Sequence, residues 1–256
     1  MTVQSNSLSQ TEGNWNPSPS KNEGSFGYEA TNRLLLYGFL GYLPEDASDV
    51  LILSGPKQAE IAILLEQNGY GVTMLCDPDA DTPGCIQRTI SEMEPESFDA
   101  IVFPGWLTDH GNTEKLVRDA KDALREKGLL VGSFAGRFAA AIEIAGQSAK
   151  MAKSISDGEE SGNWHGACEL YSPNEAILML EAVGFEVVDM FGWQLALSRM
   201  PHKMLHTSDW TDDQLDEICD LEFRLGQERS IMGCAPTIQF IAKKITGEPE
   251  ELIGQA

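Results

Sequence analysis

The sequence predicts one α/β domain built on a twisted, mostly parallel sheet with helices on both faces. Three observations lead there. Short, continuously apolar runs such as DVLILS (Asp49–Ser54) and FDAIVFPG (Phe98–Gly105) read as strands covered on both faces, because a half-wet strand would alternate apolar with polar residues. Between such runs lie segments with apolar residues at helical spacing, the alternation that parallel strand connections require. The stretch from Asp49 to Asp77 holds a strand, a glycine-containing turn, a helix, a second strand and a terminal acid, which is the layout of one βαβ unit.

Taken in order, residues 1–26 are rich in Ser, Asn, Gly, Pro and Gln and read as a disordered tail. The domain is expected over 27–247, entered by a short amphipathic helix from Tyr28 to Leu43 that Pro44-Glu45-Asp46 interrupts. After the first strand, GPKQ turns into the helix AEIAILLEQNG, which ends at Gly69, and YGVTMLC (Tyr70–Cys76) is the second strand, with Asp77 at its carboxyl end. CIQRTISEME (Cys85–Glu94) reads as a short helical piece before the buried strand FDAIVFPG. A helix is predicted over Asn112–Gly128, with Asn112 as cap and Gly128 as stop. LLVGSFA follows as a strand, and the alanine content of RFAAAIEIAGQSAKMAKSI favours helix. SDGEESGNWHGACE reads as a polar surface loop. SPNEAILMLEAVG starts with Ser172 as N-cap, Pro173 at the first helical position and Glu175 closing a capping box. FEVVDMFGW is a strand, DWTDDQLDEICDLEFRLGQERS an acidic helix, and TIQFIAKKI (Thr237–Ile245) the closing strand, before an acidic tail at 248–256 expected to fray.

Composition narrows the function. The chain has 256 residues, with 40 acidic against 18 basic side chains and a net charge of -22. Such a charge opposes salt-dependent binding to nucleic acid or anionic lipid, since each contact begins with like-charge repulsion. It reads as a solubilising coat, suited to a salty medium that screens repulsion, or as a surface that steers a basic partner. No apolar run approaches the roughly 20 residues needed to span a membrane, and the start MTVQSNSLSQ shows no secretory pattern. Cys76, Cys85, Cys168, Cys219 and Cys234 are scattered without a CxxC pair, which fits reduced thiols in a cytoplasmic protein and no metal site.

In a sheet of this kind the ligand sits beyond the carboxyl ends of the strands. Ser54, Gly55, Pro56, Lys57 and Gln58 follow the first strand. Asp77 follows the second, 22 residues after Gly55, a distance that suits an acid accepting hydrogen bonds from ribose hydroxyls; the structural alternative is a solvated acid before Pro78. After the next strand, Trp106 or Leu107 is placed to pack an adenine face, with Asp109 and His110 close behind. Ser133 and Phe134, at the end of LLVGSFA, and Arg137 just beyond it are placed in the same way, and Trp164-His165 lies in a later loop. His110 first and His165 second are the candidate bases, against the alternative of ordinary loop histidines.

On these residues the chain from about Tyr28 to Ile245 resembles a class I S-adenosylmethionine-dependent methyltransferase. VLILSGPKQ stands at the family's first strand and glycine loop, LLEQNGYGVTMLCD at its helix, second strand and acid, and FDAIVFPGWLTDH at its fourth strand. VRDAKDALREKGLLVGS matches the next helix and fifth strand. YSPNEAILMLEAVGFEVVDMFGW and LGQERSIMGCAPTIQFIAKK resemble the helix and sixth strand and the approach to the seventh. The resemblance implies a Rossmann-like seven-stranded sheet with an antiparallel last strand and S-adenosylmethionine as cofactor. It implies cofactor contacts at Ser54, Gly55, Asp77, Trp106 and Leu107, and methyl transfer to a small-molecule acceptor. A homodimer or a protein partner is compatible with it.

One departure matters. The family's loop has an acid and three alternating glycines, whereas this chain reads Ile52-Leu53-Ser54-Gly55-Pro56-Lys57-Gln58. Glycines there let backbone approach the ligand, and Pro56 lacks a donor N–H. The alternative reading is therefore a degenerate methyltransferase fold acting as a non-catalytic binding or partner subunit, favoured if Pro56 or Gln58 fills the cleft opposite Asp77. A more distant resemblance is to the DJ-1/PfpI family, whose nucleophilic cysteine position is Phe134 here, a side chain that cannot attack a carbonyl.

Overall fold

The computed structural model describes residues 40–43, 49–53, 58–76, 86–107, 112–159, 169–200 and 210–245. Both expected tails, and the entry helix before Leu40, lie outside the described residues. Seven strands, β1 (Asp49–Ile52), β2 (Gly71–Cys76), β3 (Ile86–Gln87), β4 (Phe98–Trp106), β5 (Leu124–Ala135), β6 (Phe185–Trp193) and β7 (Thr237–Lys244), form one sheet in the order β3-β2-β1-β4-β5-β7-β6. β1 pairs in parallel with β2 and β4, β2 with β3, and β4 with β5. β7 runs antiparallel between β5 and β6. The expected sheet, mostly parallel with an antiparallel last strand, is the one observed.

Helices α1 (Gln58–Gln67), α2 (Thr113–Ala123), α3 (Arg137–Ala145), α4 (Ala149–Ser156), α5 (Pro173–Val183), α6 (Asp212–Gln227) and α7 (Arg229–Met232) flank the sheet, with short 3₁₀ turns at Ile90–Glu92 and Leu197–Arg199. Alternation along each strand divides the core. Leu51, Ile101, Phe134 and Phe240 face α2 and α5, where Val117 and Leu180 meet them. Val50, Ile52, Val102, Val131 and Ile241 face α1 and α6, where Ile61, Leu65, Leu215 and Cys219 meet them. Both faces are dry, which is why these strands read as unbroken apolar runs. Leu43 joins the second layer, and the Tyr42 hydroxyl donates to Asp189 on β6; burial, then that carboxylate, push the phenol up to about 12. Among the described residues no helix is long and apolar enough to cross a membrane.

Three segments depart from the sequence expectation. Within the stretch expected to be helical from Cys85 to Glu94, Ile86–Gln87 forms the edge strand β3, and only Ile90–Glu92 makes a single 3₁₀ turn. The Asn112 cap is present, its side chain accepting from Lys115 N at 2.9 Å, but α2 ends at Ala123 rather than Gly128. Leu124 leaves the helix to pair with Phe98. Arg125 then reaches Asp49 and Asp99, each at 2.8 Å, tying the amino ends of β1 and β4 to β5. The alanine-rich segment forms two helices, α3 and α4, because Ser148 caps the second by accepting from Met151 N.

Candidate functional site

The order of strands reverses between β1 and β4, so the crevice of this sheet opens beyond their carboxyl ends. Leu53 N still donates to Val102 O at 3.0 Å, which holds the two strands together to the last described residue of the first. On the other side β1 and β2 part, and the buried side chain of Gln58 lies across the gap. Its Nε2 donates to Ile52 O at 3.1 Å and to Leu75 O at 2.7 Å. Each carbonyl thus already accepts one hydrogen bond from within the chain.

Cys76, the last residue of β2, lies 3.6 Å from Gln58 Oε1 through its sulfur. It is disulfide-bonded, so that approach is a contact and not a donated hydrogen bond. Cys219 and Cys234 are free. The expectation of reduced thiols therefore fails at Cys76.

Ser54, Gly55, Asp77, His110 and His165 lie outside the described residues. Trp106 ends β4, its backbone opposite Ser133. Leu107 has no accessible surface and belongs to the core on the α2 and α5 face. Phe134 is equally buried and stacks on Phe240 with ring centroids 5.0 Å apart, a core residue rather than an exposed elbow. The described residues that follow the two histidines in sequence are neighbours in space. Thr113, three residues after His110, is buried at the start of α2, and Tyr171, six residues after His165, bridges Gly136 at the end of β5. The Thr113 hydroxyl lies close enough to the Tyr171 phenol to lower its pKa, without making a hydrogen bond of ordinary geometry. Burial, and then the hydrogen bond that Tyr171 donates to Glu169 at 2.9 Å, outweigh this and raise that pKa.

The carboxyl half of β4 is irregular. Val102 pairs with Val131 and Trp106 with Ser133, so β4 spends more residues than β5 between these points. Pro104 sits in the bulge, where a strand tolerates a residue without an N–H. Ser133 Oγ donates to Gly105 O at 3.0 Å and holds the bulge in place. Between the bulge, Ile61 of α1 and Gln239 of β7 remains a half-open hollow of ≈ 10 Å³. Gln239 is buried, and its Oε1 accepts from Trp193 Nε1. Sequence reasoning passed over Gln239, though a lone polar residue inside the apolar run IQFIA is itself a signal.

A second group it missed is Glu222 on α6, fully buried, which accepts from the backbone N–H groups of Leu195, Ala196 and Leu197 at 3.0, 2.7 and 2.6 Å. Burial pushes its carboxyl up, against the downward pull of those donors. Glu222 thereby fixes the chain as it leaves β6. Nothing in its sequence neighbourhood distinguishes it from the other acids of the same helix.

Tested against S-adenosylmethionine, the described residues offer a sheet of suitable order, with Gln58 bonded to a carbonyl at the end of each of the first two strands; Ser54, Gly55 and Asp77 lie outside the described residues.

No protein-family model matches the chain, and no curated protein matches it either. Solved structures do. A methyltransferase from Archaeoglobus fulgidus described as S-adenosylmethionine-dependent aligns over 85% of this chain and 94% of its own, at 12% identity and a TM-score of 0.51. A chain from the Haloferax volcanii complex containing the Trm112 methyltransferase activator aligns over 90% of this chain and all of its own, at 11% identity and the same TM-score of 0.51. At such identities the likeness speaks to fold. The chain has a class I, Rossmann-type methyltransferase-like fold.

Proposed function

We propose that the chain binds S-adenosylmethionine beyond the carboxyl ends of β1 and β2 and directs methyl transfer to a small-molecule acceptor. The observation that supports this best is the strand order with only β7 reversed, a layout that generic dinucleotide-binding sheets do not share. The bound cofactor supplies an electrophilic methyl group on its sulfonium. In this reading Asp77 accepts from the ribose hydroxyls, Ser54 and Gly55 give the ligand close backbone approach, and Trp106 packs the adenine with Leu107 behind it in the core. His110, or else His165, takes the acceptor's proton; Thr113 and Tyr171, which follow them in sequence, lie close together. Alignment of the reactants and exclusion of water provide most of the rate gain. A net charge of -22 goes with a small acceptor rather than a nucleic acid.

Gln58 favours a second reading, in which the fold serves as a non-catalytic binding or partner subunit, alone, as a homodimer or with another protein. Its side chain ties together the strand ends that the glycine loop of an active enzyme leaves open. Transfer of tritium from methyl-labelled S-adenosylmethionine into the low-mass fraction of a metabolite extract separates the two. Label transferred by the native protein and not by His110→Ala and His165→Ala together supports the enzyme. Ligand binding without any transfer supports the subunit.

A further inference from the structure

The hollow beside the β4 bulge is a built site. Gln239 is 2% exposed and Ser133 5%, and the two face each other in register across the β5–β7 pair. Directly opposed residues in such a pair bring their side chains within about 5 Å. Trp193 Nε1 can only donate, so its bond to Gln239 Oε1 fixes which way the carboxamide points. Trp193 is itself held by Phe191 and Phe223, with ring centroids 5.8 and 6.2 Å away. Gln239 Nε2 is thus turned away from Trp193, makes no hydrogen bond among the described residues, and is not among the sealed, unpartnered atoms. It is a donor held in place on a residue that lines the hollow. Ser133 Oγ spends its hydrogen on Gly105 O and keeps lone pairs to accept.

Size selects the occupant. A hollow of ≈ 10 Å³ is close to the roughly 10–15 Å³ that one water-sized group requires. A carboxylate can accept from Gln239 but has no proton to give Ser133. A hydroxyl is one oxygen that accepts from Gln239 and donates to Ser133, satisfying both, while Ile61 and Val131 offer apolar surface to the carbon that bears it. We propose that Gln239 and Ser133 form the subsite for a hydroxyl group of the small-molecule acceptor. The inference rests on the methyl-transfer reading for naming the occupant as acceptor; the recognition of a hydroxyl stands on the hollow alone.

Phenol is the test probe, with fluorobenzene as the match that lacks a hydroxyl. In ¹⁵N-labelled protein the side-chain amide signals of Gln239 are assigned by their loss in Gln239→Glu, a variant that keeps an acceptor for Trp193. Phenol should shift them saturably at up to tens of millimolar, and fluorobenzene should not. Ser133→Ala, which keeps the small side chain, should weaken phenol binding about threefold to tenfold, the worth of one neutral hydrogen bond. Absence of a shift, a shift that never saturates, an equal response to fluorobenzene, or unchanged affinity in Ser133→Ala would each overturn the proposal and leave a water as the occupant. S-adenosylhomocysteine titration is independent of these readouts. Its failure alongside an intact phenol response would overturn methyl transfer and keep the hydroxyl subsite.

Discussion

Gln58→Ala probes the joint between the first two strands. The substitution removes both hydrogen bonds from Nε2, at 3.1 Å to Ile52 O and 2.7 Å to Leu75 O, from a residue that is 8% exposed. Each bond contributes about 0.5–1.5 kcal/mol if water replaces the donor, and each carbonyl costs about 1–3 kcal/mol if it stays buried and unpaired. Because α1 begins at Gln58 beside the ligand crevice, water entry is the expected outcome, and the loss should be about 2 kcal/mol. Gln58→Glu keeps the shape but turns an acceptor toward the two carbonyls, so it should cost more than Ala. Urea unfolding followed by circular dichroism reads both, as a lower midpoint with an unchanged slope. A loss below about 0.5 kcal/mol in Gln58→Ala, or a Glu variant as stable as the native protein, would refute the view that donation by Gln58 holds β1 to β2.

Glu222→Leu should be among the most destabilising single changes, because it empties a fully buried carboxylate site and orphans three N–H groups, one buried and two part-buried, at 2.6, 2.7 and 3.0 Å; about 3 kcal/mol is expected in urea unfolding. The raised pKa of Glu222 means that the native state holds its proton more firmly than the unfolded chain. Its contribution is full below the unfolded value of about 4.3 and is lost as pH rises through the folded value. Carbon-13 titration of the Glu222 carboxyl should give a midpoint above that unfolded value, and a lower one would contradict the assignment. A Cβ at Gly226 would lie 2.3 Å from Gly192 O, while at Gly146 it would meet nothing within 4 Å. Calorimetry should therefore show Gly226→Ala losing about 1–3 kcal/mol and Gly146→Ala changing by under about 0.5 kcal/mol. With a net charge of -22, the melting temperature should rise as potassium chloride is raised, since salt screens the self-repulsion; a fall would argue against a repulsive coat.

What could be read from the sequence follows from where the forces are local. β1, β4 and β5 were legible because each is dry on both faces, which leaves a run such as VLI or AIVF without polar interruption. The start of α5 was legible because its cap is closed within four residues: Ser172 N donates to Glu175 Oε2 at 2.8 Å and Glu175 N to Ser172 Oγ at 3.4 Å. The end of α2 was not, since Leu124 is claimed by Phe98 and Arg125 by Asp49 and Asp99, partners distant in sequence. β3 is only two residues long and exists by pairing with β2. The site divides in the same way. Position after a strand singled out Ser133 and Gln58, but their roles depend on Gly105, Ile52 and Leu75 across the sheet. Gln239 and Glu222 acquire meaning only from Trp193 and from the turn that follows β6.

Calorimetric titration of the native protein and of Asp77→Ala with S-adenosylhomocysteine tests the cofactor proposal most directly. Asp77 was singled out by its position at the end of the second strand, and the ribose reading depends on that one carboxylate. Saturable binding to the native chain, weakened at least tenfold in Asp77→Ala for the loss of a charge-assisted contact of about 1.5–3 kcal/mol, is the predicted result. No heat of binding to the native protein at millimolar ligand, or equal affinity in the variant, would contradict it.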